Sequence, residues 1–172
     1  MVALRMVTMI GKHAEQLTKA VVDELRADPR TPSYHRLELH EDHARVFAVV
    51  HNLGEWLDRK SDADTETTYR SLGQRRFGEG VPLAEVVRAL MLTRQTICRF
   101  IQSEGWMDSA LDLRQQVELY TLISRFFERA IYFTVLSYEA EACSAGKMAA
   151  HPEPHKRKFA VGWALGRHTN AV

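Results

Sequence analysis

From Thr8 to Ala142 apolar residues return every three or four positions, the spacing that lines side chains along one face of an α-helix. No segment alternates polar and apolar residues as a half-buried strand would. The pattern predicts five helices. The first spans about Thr8 to Ala27, with Ile10, Ala14, Leu17, Val21 and Leu25 on one face. Asp28-Pro29-Arg30-Thr31-Pro32 ends it, because proline restricts itself and the residue before it. The second, Leu39 to Arg59, is expected to bury Leu39, Val46, Val49, Val50, Leu53, Trp56 and Leu57. Ser61 to Asp64 offers N-caps for a third helix, Asp64 to Phe77, mostly polar with Tyr69, Leu72 and Phe77 turned inward. Gly78 and Gly80 suit a tight exit from it. Pro82 fits the first turn of the fourth helix, which runs to Ser103, and Glu85 follows where a helix N-terminus favours negative charge.

The fifth helix, about Ser109 to Ala142, is the longest. At about 100° per residue, Leu113, Val117, Tyr120, Ile123, Phe127, Ile131, Val135 and Tyr138 form one apolar face. Leu119, Leu122, Phe126, Ala130 and Phe133 form a second beside it. Together they cover roughly 200°, against the ~100° an ordinary surface helix buries. Only the sector of Arg114, Glu118, Thr121, Arg125, Glu128 and Tyr132 reads as wet. Either this helix is central to its own domain, or the second face is a homodimer seam that meets itself across a two-fold axis.

A chain of 172 residues, 45% of them hydrophobic, supports one domain with a sizeable core. The pattern stops after Ala142, so residues 1–144 read as the domain and 145–172 as a flexible tail. Its basic run His155-Lys156-Arg157-Lys158, ahead of Phe159, Trp163 and Leu165, suits at most a weak membrane contact. A net charge of +1 argues against a broad nucleic-acid footprint. Cys98 and Cys143 lie far apart and suggest neither disulfide nor zinc motif. Without a secretory h-region or a long apolar span, a cytoplasmic location is expected.

Candidate chemistry is sparse. Gly78-Glu79-Gly80 lacks the other glycines and the strand of a dinucleotide fingerprint, and no P-loop lysine or framed nucleophile appears, so no enzyme is expected. His40 and His43 share a helix face at a metal-compatible spacing, but no third ligand completes a set nearby. Arg70, Arg75 and Arg76 surround a glycine turn, a slight argument for a DNA reader. Arg94 falls about 20° from Leu83, inside the apolar stripe of the fourth helix. A guanidinium there must snorkel, pair with a carboxylate or meet an anionic ligand. Arg94 with Tyr69 and Arg76 is the candidate ligand pocket.

The runs Tyr69-x-x-Leu72-Gly73-x-x-Arg76 and Gly80-Val81-Pro82-Leu83-x-Glu85-Val86-Val87-x-Ala89-Leu90 carry a further signal. With Leu53-Gly54-x-Trp56-Leu57 and Phe126-Phe127-x-Arg129-Ala130-Ile131, they resemble the N-terminal domain of RsbR/RsbRD-type co-antagonists of bacterial stress signalling, a stressosome and histidine-kinase sensor family. The resemblance covers about Thr8 to Ala142. It implies an all-α, globin-like bundle that binds no haem, dimerises and senses, joined to an output module such as a STAS domain or a histidine kinase. Here only the tail follows Ala142, so either the domain signals to a partner in trans or it has lost the signalling role. None of the eight histidines lies between His51 and His151, so a globin-style proximal ligand has no candidate in the last three helices. The expectation is a non-enzymatic, cofactor-free, cytoplasmic sensing or interaction domain, paired through its last helix. A haem or small-molecule carrier is the alternative, and a DNA-binding regulator the third.

Overall fold

The computed structural model describes residues 12–36, 38–59, 62–103 and 110–146. They form helices α1 (Ala14–Ala27), α2 (Leu39–Arg59), α3 (Asp62–Gly78), α4 (Leu83–Ser103) and α5 (Ala110–Ser144), with a short 3₁₀ turn (Tyr34–Arg36) between α1 and α2. Among the described residues there is no strand, and the expected all-α bundle with a long closing helix is what forms. The N-terminal extension of the first helix to Thr8, the side chain of Leu113 and the tail beyond Gly146 lie outside the described residues.

The apolar stripes do what their spacing predicts. Leu17, Val21 and Leu25 of α1 are fully buried, as are Val50, Leu53 and Leu57 of α2 and Val86, Leu90 and Ile97 of α4. Leu39 is a correction. It is 59% exposed, because it opens α2 at the margin of the bundle where no helix among the described residues covers it.

The loop after α1 is held by ionic and backbone bonds. Asp28 ends the helix with its N–H on the Glu24 carbonyl. Its carboxylate takes two hydrogen bonds from the Arg30 guanidinium, both at 2.9 Å, and one from Arg88 Nε of α4 at 2.7 Å. Thr31 Oγ1 donates to the Leu25 carbonyl, and the Ser33 N–H donates to Glu85 at the start of α4. Glu85 thus ties a loop as well as favouring its helix N-terminus. Hydrogen bonds from Arg30 hold the Asp28 carboxyl well below its ordinary value of 3.8. A folded-state value below the unfolded one gives stability that is present above the ordinary value and lost as pH falls beneath it. The melting temperature of the protein is therefore expected to exceed that of Asp28→Asn at neutral pH, with the gap narrowing by about pH 3. A gap independent of pH would mean the carboxylate charge contributes nothing.

The exit from α3 is a Schellman closure. The Val81 N–H reaches the Arg76 carbonyl, the Gly80 N–H reaches that of Phe77, and Gly80 takes φ +72°. Only Gly80 needs the left-handed backbone; Gly78 does not. The Tyr138 hydroxyl donates to the Val81 carbonyl at 2.8 Å, fastening the turn to α5.

Helix α3 makes its main contact with α5, although its sequence carries almost no apolar stripe. Small residues permit this. Gly73 lies against the Thr134 carbonyl and Ser137 hydroxyl so closely that a Cβ would overlap both. On α5, Ala130, Thr134 and Ser137 fall at i, i+4 and i+7 and are all buried. Their hydroxyls are satisfied within the helix, Thr134 on the Ala130 carbonyl and Ser137 on that of Thr134.

The dimer seam placed on Leu119, Leu122, Phe126, Ala130 and Phe133 requires correction. Leu119, Phe126 and Ala130 are 1%, 1% and 0% exposed within a single chain. Leu122 and Phe133 pack partly against the same core, and the Arg70 guanidinium lies 5.5 Å from the Phe133 ring centre. The two apolar faces merge into one buried arc centred on Ile123, because α3, α2 and α4 between them shelter both. The sector read as wet is the exposed one, with Val117 and Leu136 at its margins.

Candidate functional site

Because α3 leans on α5, it touches α2 only lightly and leaves a groove between the two. Two adjoining cavities of about 210 and 340 Å³ make up this groove, and both are lined by Asn52, Thr68 and Tyr69. Small molecules are commonly held in pockets of about 300–1,000 Å³.

Tyr69 forms the floor. Its ring meets Phe126 edge-on at 5.6 Å, and Phe126 in turn meets Trp56 at 5.7 Å. The residue is 1% exposed, and its hydroxyl has no hydrogen-bond partner of good geometry among the described residues, although the Asn52 side chain lies beside it. Burial pushes the phenol well above its ordinary value, so it stays a neutral donor. An unsatisfied buried hydroxyl costs stability; the residue that carries this one lines both cavities, while the hydroxyl itself exposes less than 1 Å².

The two ends of the groove differ in their ionisable groups. At one end Arg45, Arg75 and Arg76 face a single carboxylate, Glu79. Glu79 accepts from Arg76 at 2.6 Å and from Arg45 at 3.2 Å, so two guanidinium groups share one anion. The Arg76 side chain is 5% exposed. Tyr34 packs beside it, its phenol raised by burial and partly held back by Arg76. At the other end Glu55 and Asp64 flank Trp56.

Of the three residues proposed as a pocket, the structure brings Tyr69 and Arg76 into one groove. They are seven residues apart on α3, two turns along the same face. Arg94 is not among the groove's lining residues. It is half-buried on α4 near Cys98, whose thiol is raised by burial and lowered by that guanidinium. Arg45, Asn52 and Glu79 were missed by sequence reasoning. Only the basic turn at Arg75 and Arg76 hinted at their end of the groove.

The other candidates are dispersed. His43 pairs with Glu15 of α1 at 2.9 Å, and His40 is exposed. Among the described residues no group of three or more His, Cys, Asp or Glu side chains is arranged to hold a metal. Arg70 is bonded to Glu66 at 2.7 Å and Arg76 to Glu79, so the arginines around the glycine turn do not present one free basic face. No described helix is long and apolar enough to cross a membrane.

The residues that form this groove and its floor lie inside one family match. The model described as "RsbT co-antagonist protein rsbRD N-terminal domain" matches residues 15–149. The chain belongs to this family. The match takes in all five helices but for Ala14, the first residue of α1, and both walls of the groove. The RsbRD-type N-terminal domain is thereby a stress-signalling co-antagonist domain, in line with the resemblance carried by Tyr69, Gly73 and Arg76. No curated protein and no solved structure gives a significant match.

Proposed function

We propose that the chain is a cytoplasmic, non-enzymatic sensing domain that works as a homodimer and signals by binding a protein partner in trans. The family match over residues 15–149 carries this reading. The exposed side of α5 adds support for the pairing. Val117, Thr121, Arg125, Glu128, Tyr132 and Leu136 are all exposed there, within an arc of about 100°. Their numbers are symmetric about one point, midway between Phe126 and Phe127. Two copies of α5 crossing antiparallel at that point would set Val117 opposite Leu136, Thr121 opposite Tyr132 and Arg125 opposite Glu128. A two-fold axis demands this kind of self-complementarity.

Light scattering on the eluting protein is expected to give twice the 19.7 kDa chain mass. Leu136→Glu should give a folded monomer. Arg125→Glu should weaken the pair, and Glu128→Arg in the same chain should restore it. A single-subunit mass at high concentration would end the dimer reading. Purified STAS-domain protein immobilised on a sensor tests the partner separately: saturable binding supports signalling in trans, and no binding counts against it.

A further inference from the structure

The Arg76 end of the α2–α3 groove carries more positive charge than the fold neutralises. Its lining sets three guanidinium groups, Arg45, Arg75 and Arg76, against the one carboxylate of Glu79, a net charge of +2. Asp42, three residues before Arg45, is answered by Arg26 of α1 at 3.1 Å. The three arginines are not equivalent. Arg76 is buried and holds Glu79 at 2.6 Å. Arg45 reaches the same carboxylate loosely, through two bonds of 3.2 and 3.4 Å, and a guanidinium has further N–H donors to give. Arg75 is exposed on the lining of the 340 Å³ cavity, and its guanidinium makes no ion pair or hydrogen bond among the described residues.

The rest of that cavity is uncharged. Ala48 and Val49 of α2 and Leu72 of α3 line it. Asn52 and Thr68 also line it, each about two turns along its helix from Arg45 or Arg75. A ligand that matches this charge must therefore carry both negative charges on one group, at the arginine end. A phosphate monoester does so, with about −1.5 to −2 at pH 7 spread over three oxygens, and guanidinium groups bond such oxygens in pairs. One carboxylate would leave half of the excess unmet, and a dicarboxylate would put its second charge among uncharged side chains.

We propose that this end of the groove binds a small organic phosphate monoester. Arg75 and Arg45 hold the phosphoryl group, and the organic body lies along Ala48, Val49 and Leu72. Glu79 competes with the ligand for Arg45. The inference rests on the sensing reading and names the class of molecule sensed. Binding and pairing are measured apart, so either can fail alone.

Isothermal titration of the full chain with phenyl phosphate and phenyl sulfate tests it, because the two share a shape and differ by one charge. Phenyl phosphate is expected to bind about tenfold or more tighter, and tighter than inorganic phosphate or succinate. Arg75→Ala, at an exposed position, should melt with the parent and bind phenyl phosphate about tenfold more weakly. Glu79→Gln should bind it several-fold tighter, a gain that a carboxylate serving the fold alone would not give. Phenyl phosphate that binds no better than phenyl sulfate would overturn the proposal, as would unchanged binding by Arg75→Ala. Inorganic phosphate binding as tightly as phenyl phosphate would remove the organic body from the site. Equal or weaker binding by Glu79→Gln would place the phosphate away from Arg45 and overturn it too.

Discussion

Gly73→Ala is expected to lower the melting temperature by about 6–12 °C, and Gly73→Leu to prevent cooperative folding. In an exposed helix the same Gly→Ala change would stabilise by about 0.5–1 kcal/mol. Here the sign reverses, because the new Cβ overlaps the Ser137 hydroxyl and the Thr134 carbonyl oxygen. Ser137 can rotate away, but the carbonyl belongs to the α5 backbone, so the two helices must separate. Overpacking a filled interior costs about 1–3 kcal/mol, and a backbone clash at the bundle's most extensive helix pair belongs at the top of that range. For a domain of this size each kcal/mol shifts melting by about 2–4 °C. Gly78→Ala is the control. Nothing lies within 4 Å of a Cβ there and its φ is not positive, so its melting point should stay level or rise. Circular dichroism melts of the three variants would decide, and equal melting of the two alanine variants would refute the close approach.

That seam also shows where sequence reading succeeds and where it stops. Helix limits were legible because proline, glycine and apolar spacing act locally: α2 and the C-terminal ends of α1 and α4 fall where the pattern put them. The partner of α3 was not legible. Its buried stripe is Thr65, Tyr69, Gly73 and Arg76, which carries little hydrophobic signal, and it docks through the small residue Gly73 together with two aromatic pairs, Tyr69 on Phe126 and Phe77 on Tyr138. The fates of the two arginines grouped as a pocket were not legible either. Arg76 is buried on Glu79, a residue supplied by the turn that follows, while Arg94 remains half-buried. The groove depends on how far α2 stands from α3, a distance set by α5 and written in neither helix. Tyr69 was found because a large aromatic on a polar helix has to face inward. Asn52 and Arg45 sit among ordinary polar positions of α2 and gave no such sign.

The double variant Phe126→Glu, Leu122→Lys is expected to be insoluble or unfolded rather than a soluble monomer. On a seam between subunits, these charges would simply be hydrated once the copies separated. Phe126 instead fills the centre of one chain, with ring centres 5.7 Å from Trp56, 5.6 Å from Tyr69 and 5.3 Å from Phe127. Removing such a ring costs about 3–5 kcal/mol. A carboxylate left in its place adds an effective penalty of several kcal/mol more. The sum rivals the ~5–15 kcal/mol that holds a whole domain together. Leu136→Glu on the same helix falls 37% exposed, about 80° round α5 from Phe126 at the margin of the exposed sector, and should leave the circular dichroism spectrum near that of the parent. The contrast separates two explanations of one apolar helix. If Phe126→Glu, Leu122→Lys folds and runs as a monomer while Leu136→Glu remains paired, the inner face is the interface and the bundle as described is wrong. If the first collapses and the second folds, the apolar arc of α5 is the interior of one subunit, and any second copy must meet its outer side.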